Sequence, residues 1–192
     1  MAIDDLGLIV GFCTSSGCAA RVLSWWGGLY FDHATTLVPE SVIPIVERPA
    51  GAGPWVIDAR VDVRARIAPG VRVRPAVYLQ GEATQWVAIP ASRQQKNGVY
   101  EALVSQIGKP YDRTAILDQA TGAMVDRHWT REDAWDCSEL MVWSWIKGVL
   151  VPPALFGALT PNRLAPGVAA CMAWTLRAVP TPVLLTPSPT GA

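Results

Sequence analysis

Charge is scarce in this sequence. Only 17% of its 192 residues are Asp, Glu, Lys or Arg, 16 of each sign, and the formal net charge is zero. That balance excludes the basic excess with which nucleic-acid-binding proteins neutralise phosphates. Lysine is nearly missing, 3 residues against 13 Arg, which we read as coding bias. Cysteine is limited to Cys13, Cys18, Cys137 and Cys171. Four so scattered are too few for a disulfide framework in a chain of this size. Long apolar runs are missing too. The longest charge-free stretches are 6–20, 148–162 and 178–192, short of the roughly 20 apolar residues a membrane-spanning helix needs. The start, Met-Ala-Ile-Asp-Asp, lacks the basic start and apolar run of a secretory signal. The expectation is a protein made in a cytoplasm, or built from there into a virion or other assembly. No repeat is evident.

What is there is apolar. Hydrophobic residues make up 51% of the chain and mean hydropathy is +0.24, which excludes disorder and gives enough core for one domain. The charges are uneven. From Gly148 to Ala192 only Arg163 and Arg177 are charged. This neutral quarter predicts a segment that wraps back on the domain or docks on a partner.

Leu6–Phe12 is a short apolar run, predicted as a buried strand. Ser15–Trp26 reads as a short helix and Leu29–Leu37 as a strand containing His33. Pro39–Pro54 is loop-like. Trp55–Arg60, Val61–Ile67, Val71–Leu79 and Gln85–Ile89 read as a meander of antiparallel strands, two of them alternating apolar residues with Arg or Asp. Helices follow at Asn97–Ile107, Arg113–Ala120 and Cys137 to about Gly148, with a further short helix near Thr160–Leu164 or Val168–Leu176. Ala178–Ala192 reads as an extended tail. A sheet from one half packed on helices from the other is an α+β fold.

Asp136-Cys137-Ser138-Glu139 is the most informative tetrapeptide. Asp136 is a good N-cap, with Glu139 three residues on in a capping-box pattern. Cys137 then sits at the first helical position, where the helix dipole favours a thiolate. The alternative is a small buried hydrophobe in a core helix. A thiol nucleophile needs a base and the base an orienter. His33, on a strand, is the better base; His128 sits in a polar loop. Asp58 is the one acidic residue of an apolar strand, either the orienter or a strand-end residue paired with Arg60. A metal site from Cys13, Cys18, His33 and His128 is the weaker reading of the same residues, since no second paired cysteine spacing is present. Of the nine Trp, Trp25, Trp143 and Trp145 read as core, whereas Trp86 and Trp129 are candidates to line a cleft.

The order "DHATTLV", "WVIDA", "IGKPYD", "WDCSELMVWSW", "LTPNRL" resembles the circularly permuted branch of the NlpC-type papain-like cysteine hydrolases. That group includes YiiX-like proteins and is akin to lecithin:retinol acyltransferase. In this branch the His strand precedes the Cys helix, as His33 precedes Cys137. The resemblance covers residues 6–166 and leaves 167–192 as an apolar, Pro-rich extension. It implies a permuted papain-like fold, with an antiparallel meander or small barrel against a buried Cys-bearing helix. It implies Cys137 as nucleophile, His33 as base, Asp58 as orienter and Tyr111 at the pocket. Asp136 and Ser138 stand at the helix cap, by the oxyanion. No cofactor or metal is implied. The implied activity is acyl transfer on peptidoglycan stem peptides or lipid acyl groups. A non-catalytic docking module on the same fold, such as a phage tail component with a partner on 148–192, is the alternative. One departure stands out: this branch often carries an aromatic residue before the cysteine, and here Asp136 opposes thiolate formation by like charge.

Overall fold

The computed structural model describes residues 7–14, 31, 33–51, 53–60, 69–80, 82–112, 133–151, 173 and 179–180. Six strands are present among them: β1 (Leu8–Thr14), β2 (His33–Val38), β3 (Trp55–Arg60), β4 (Gly70–Pro75), β5 (Ala83–Ile89) and β6 (Val179–Pro180). They form one antiparallel sheet in the order β4-β3-β2-β1-β5-β6. Two helices, α1 (Arg93–Ser105) and α2 (Cys137–Lys147), complete an α+β fold. No helix among the described residues is long and apolar enough to cross a membrane.

β1 reads as an uninterrupted apolar run because both of its faces are covered. Leu8, Val10 and Phe12 enter the main core with the helices, while Ile9 and Cys13 enter a second cluster with Leu37, Val56, Ala76, Leu79 and Trp86. Gly11 lies beneath Trp86. A Cβ there would come within 2.8 Å of the indole ring, so only glycine lets the ring lie on the strand.

α1 starts at Arg93, four residues before the predicted start. The reason is local. Ser92 Oγ accepts from the Gln95 amide and Gln95 Oε1 accepts from the Ser92 amide, a complete capping box. The polar first turn, RQQK, hides this start from a search for apolar periodicity. α2 carries Leu140, Met141, Val142, Trp143 and Trp145 into the core. The two helices cross closely, with a Cβ on Gly98 falling 2.9 Å from the Gly148 Cα.

The predicted strand Val71–Leu79 is shorter in the structure. β4 ends at Pro75, which has no amide hydrogen to extend the ladder, and Ala76–Leu79 forms a 3-10 turn. The Ala76 amide donates to the Pro54 carbonyl at 2.8 Å. Tyr78 is thereby folded over the sheet face opposite α2.

Two points of the C-terminal extension are described, and both join the domain. Ala173 is fully buried in the main core, and β6 pairs with β5 through Val87↔Pro180 and Ala88↔Val179. The predicted elements at Ser15–Trp26, Val61–Ile67, Arg113–Ala120 and Thr160–Leu164 lie outside the described residues.

Candidate functional site

His33 opens β2 and is 5% exposed. Its Nε2 donates to Asp58 Oδ2 at 2.8 Å. The Tyr78 hydroxyl is 3.2 Å from the same nitrogen and itself donates to Asp58 Oδ2. The other carboxylate oxygen, Oδ1, accepts from Arg74 Nη1 at 2.5 Å. Asp58 is therefore buried, but with donors on both oxygens. Burial alone would raise its pKa. Arg74, His33 and Tyr78 more than offset this and bring it down to about 2. With Nε2 given to Asp58, the neutral ring of His33 keeps Nδ1 as its basic nitrogen.

Asp58 is not the water-facing strand end paired with Arg60 that the sequence allowed. Arg60 pairs instead with Glu82. The guanidiniums of Arg60 and Arg74 stack over the Tyr78 ring, 5.1 and 5.9 Å from its centroid.

Cys137 begins α2 as the sequence predicts, and Asp136 caps the helix by accepting from the Glu139 amide at 2.8 Å. Asp136 also accepts from Ser138 Oγ at 2.9 Å, so the Ser138 side chain is committed to the cap. The thiol is 5% exposed. Its burial pushes its pKa up, the neighbouring Asp136 adds to this, and the Ala34 amide hydrogen-bonds it and opposes the shift. At neutral pH Cys137 is a thiol.

Cys137 and His33 reach β2 from opposite sides. Ala34 lies in the main core with Cys137. Strand alternation turns the next residue, His33, to the other face, where its register partner is Cys13. β2 pairs with β3 only over Thr36–Val38, although both strands continue. Beyond the last pair, Thr36↔Ile57, lies the Ala34 amide that bonds the thiol. Thus His33 and Asp58 are in direct contact, and Cys137 is held against the residue next to His33. No hydrogen bond joins the thiol to the imidazole among the described residues.

Tyr111 is half-buried beside this point. It bridges to Trp135 in parallel, with the Asp112 amide donating to the Trp135 carbonyl at 2.9 Å. Burial first, then the charges of Cys137 and Asp136, push its hydroxyl well above the usual range. Among the described residues Trp86 serves as a packed ring: it is 7% exposed in the second cluster, where it covers Gly11. Trp129, His128, Cys18 and Cys171 lie outside the described residues. Cys13 is fully buried and accepts from Thr84 Oγ1 at 3.3 Å. Burial, despite this bond, pushes its pKa up to about 12, as fits a packing thiol.

Sequence reasoning missed Arg74 and Tyr78. The signal for Arg74 is the "VRVRP" alternation of β4, read at first as a half-exposed strand; an Arg strand next to an Asp strand offers a buried pair. Tyr78 has no comparable signal, since it reaches Asp58 only because β4 stops at Pro75. No protein-family model matches this chain, and no curated protein is similar to it.

Proposed function

We propose that the protein is a cysteine-dependent hydrolase of amide or ester bonds, with Cys137 as nucleophile, His33 as base and Asp58 as orienter. The observation that carries this reading is the buried His33–Asp58 pair, one residue along β2 from the amide that holds the Cys137 thiol. Asp58 fixes the tautomer, so Nδ1 of His33 takes the proton.

Because Cys137 is protonated at rest, deprotonation accompanies attack. Since no hydrogen bond joins thiol and imidazole at rest, the imidazole turns toward Cys137 on substrate binding, and the thiol proton then passes to His33 Nδ1 as sulfur adds to the substrate carbonyl. Backbone amides at the start of α2 stabilise the oxyanion. Collapse expels the amine or alcohol, which takes the proton from His33 and leaves a thioester on Cys137. Water, deprotonated by His33, hydrolyses it and restores the thiol. The family resemblance makes stem-peptide amides of peptidoglycan the leading substrates and lipid acyl esters the next.

A second reading has its own support. A thiol 5% exposed, beside a carboxylate and without a bond to the imidazole, suits a non-catalytic module that docks through the neutral segment 148–192. Carboxymethylation of Cys137, followed by mass spectrometry across pH in wild type and His33→Ala, separates the two. The hydrolase reading expects alkylation of the native protein that slows markedly in the variant. Equal rates in both proteins would support the docking module.

A further inference from the structure

Among the described residues, the sheet face opposite α2 carries more positive than negative side chains where β3 meets β4. Arg60, Arg72 and Arg74 lie on it by strand alternation and by the register Asp58↔Arg72. Among the described residues, two carboxylates accompany these three guanidiniums. Asp58 is held by Arg74 and Glu82 by Arg60. Arg72 has no carboxylate partner among the described residues, and its Nε is buried without a hydrogen bond. Arg60 Nη1 is likewise buried without one, although Nη2 of the same group holds Glu82. Arg60 lies two residues beyond Asp58 on β3, so Arg60 and Arg72 are diagonal neighbours on one face, about 7 Å apart.

One more unsatisfied atom adjoins them. Glu82, which Arg60 holds through Oε1, leaves Oε2 as a buried acceptor with no partner. Buried polar groups are rarely left unpaired, and hydrogen bonds from a guanidinium to an anionic oxygen are among the strong ones. The set asks for one kind of ligand. It must offer anionic oxygens to the Arg donors, and an O–H or N–H for the Glu82 oxygen. The Arg60 guanidinium is fixed beforehand by its stack on Tyr78 and its bond to Glu82, which lowers the ordering cost of binding.

We propose that Arg60 and Arg72, with Glu82 held by Arg60, form a binding site for a small oxyanion. A hydrogen phosphate meets the demand alone. A carboxylate with a neighbouring N–H, as in a peptide, meets it equally. This site stands apart from the hydrolase reading, although a carboxylate held there would lie on the same sheet face as His33.

The test is thermal unfolding of the full chain in sodium phosphate and in sodium acetate, each against sodium chloride at matched ionic strength and pH. At least one oxyanion raises Tm in a saturable way that chloride does not reproduce. Preference for phosphate assigns a phosphate ligand, and preference for acetate a carboxylate. Arg72→Ala weakens the apparent affinity roughly tenfold, since one charge-assisted pair is lost. Arg72→Gln, which keeps most of the stem, does the same and serves where the alanine variant folds poorly. Cys137→Ser responds as wild type does, whatever the fate of the hydrolase reading. If both oxyanions act only as chloride does, or the Arg72 variants respond undiminished, the site does not exist.

Discussion

Asp58 Oδ2 accepts a hydrogen bond from His33 Nε2 at 2.8 Å while Oδ1 of the same carboxylate is bound by Arg74. This one side chain joins the candidate base to the guanidinium network on the same sheet face, and it makes acid stability the most direct measurement. The folded-state pKa of about 2 lies below the ordinary 3.8. The unfolded chain therefore takes up this proton more readily than the folded one. The stabilisation is complete above the unfolded value and is lost as pH falls through about 2. It is worth about 2 kcal/mol. Denaturant titrations of wild type between pH 5 and pH 2 show that loss. Asp58→Asn removes this contribution to the pH dependence and, by leaving Arg74 buried without a counter-charge, costs roughly 3–5 kcal/mol at neutral pH.

Asp136 acts on the thiol by proximity. Asp136→Asn keeps a capping side chain and removes the like charge that helps hold the Cys137 pKa up. The expected result at pH 8 is faster alkylation of Cys137, by a few-fold, with Tm changed little. An unchanged alkylation rate would show that burial alone sets the thiol.

Tyr78→Phe deletes one hydroxyl bonded to Asp58 and close to His33. The loss is about 1–2 kcal/mol by equilibrium unfolding, and the acid limb of the stability profile moves to higher pH because Asp58 loses a donor. A loss of stability without movement of that limb would mean that Tyr78 acts only by packing.

Gly98→Ala tests the helix crossing. Helix propensity favours alanine by about 1 kcal/mol, but the added methyl would meet the backbone of Gly148 at 2.9 Å. Backbone yields less readily than a side-chain tip, so the steric effect wins and the variant is destabilised by about 1–3 kcal/mol. Increased stability would show that the helices can separate freely.

Deletion of residues 178–192 removes β6 and strips the outer edge of β5. Exposed strand edges pair with one another. Light scattering should show self-association, while alkylation of Cys137 keeps its wild-type rate.

What the sequence disclosed and what it hid divides along chain distance. Asp136, Cys137 and Glu139 were legible because a cap is written within four residues. The strand bearing His33 and the strand bearing Asp58 were legible from composition. The side of the sheet on which each side chain falls was not, because it depends on registers such as Cys13↔His33 and Asp58↔Arg72, and one residue of slip reverses every assignment. The nearest neighbours of Asp58, Arg74 and Tyr78, come from segments 16 and 20 residues away. Trp86 was ambiguous for a different reason: an aromatic residue suits a cleft and a packed ring alike, and its packing over Gly11 depends on the β1–β5 register.

His33, Asp58, Arg74, Lys96 and Asp136 are all buried. In a chain with so few ionic groups, this internal use leaves a surface more weakly charged than the composition suggests. With the isoelectric point near 6.7, molecules at neutral pH have little mutual repulsion. Colloidal stability should therefore be lowest just where the protein would ordinarily be handled, and should improve on moving two or three pH units to either side.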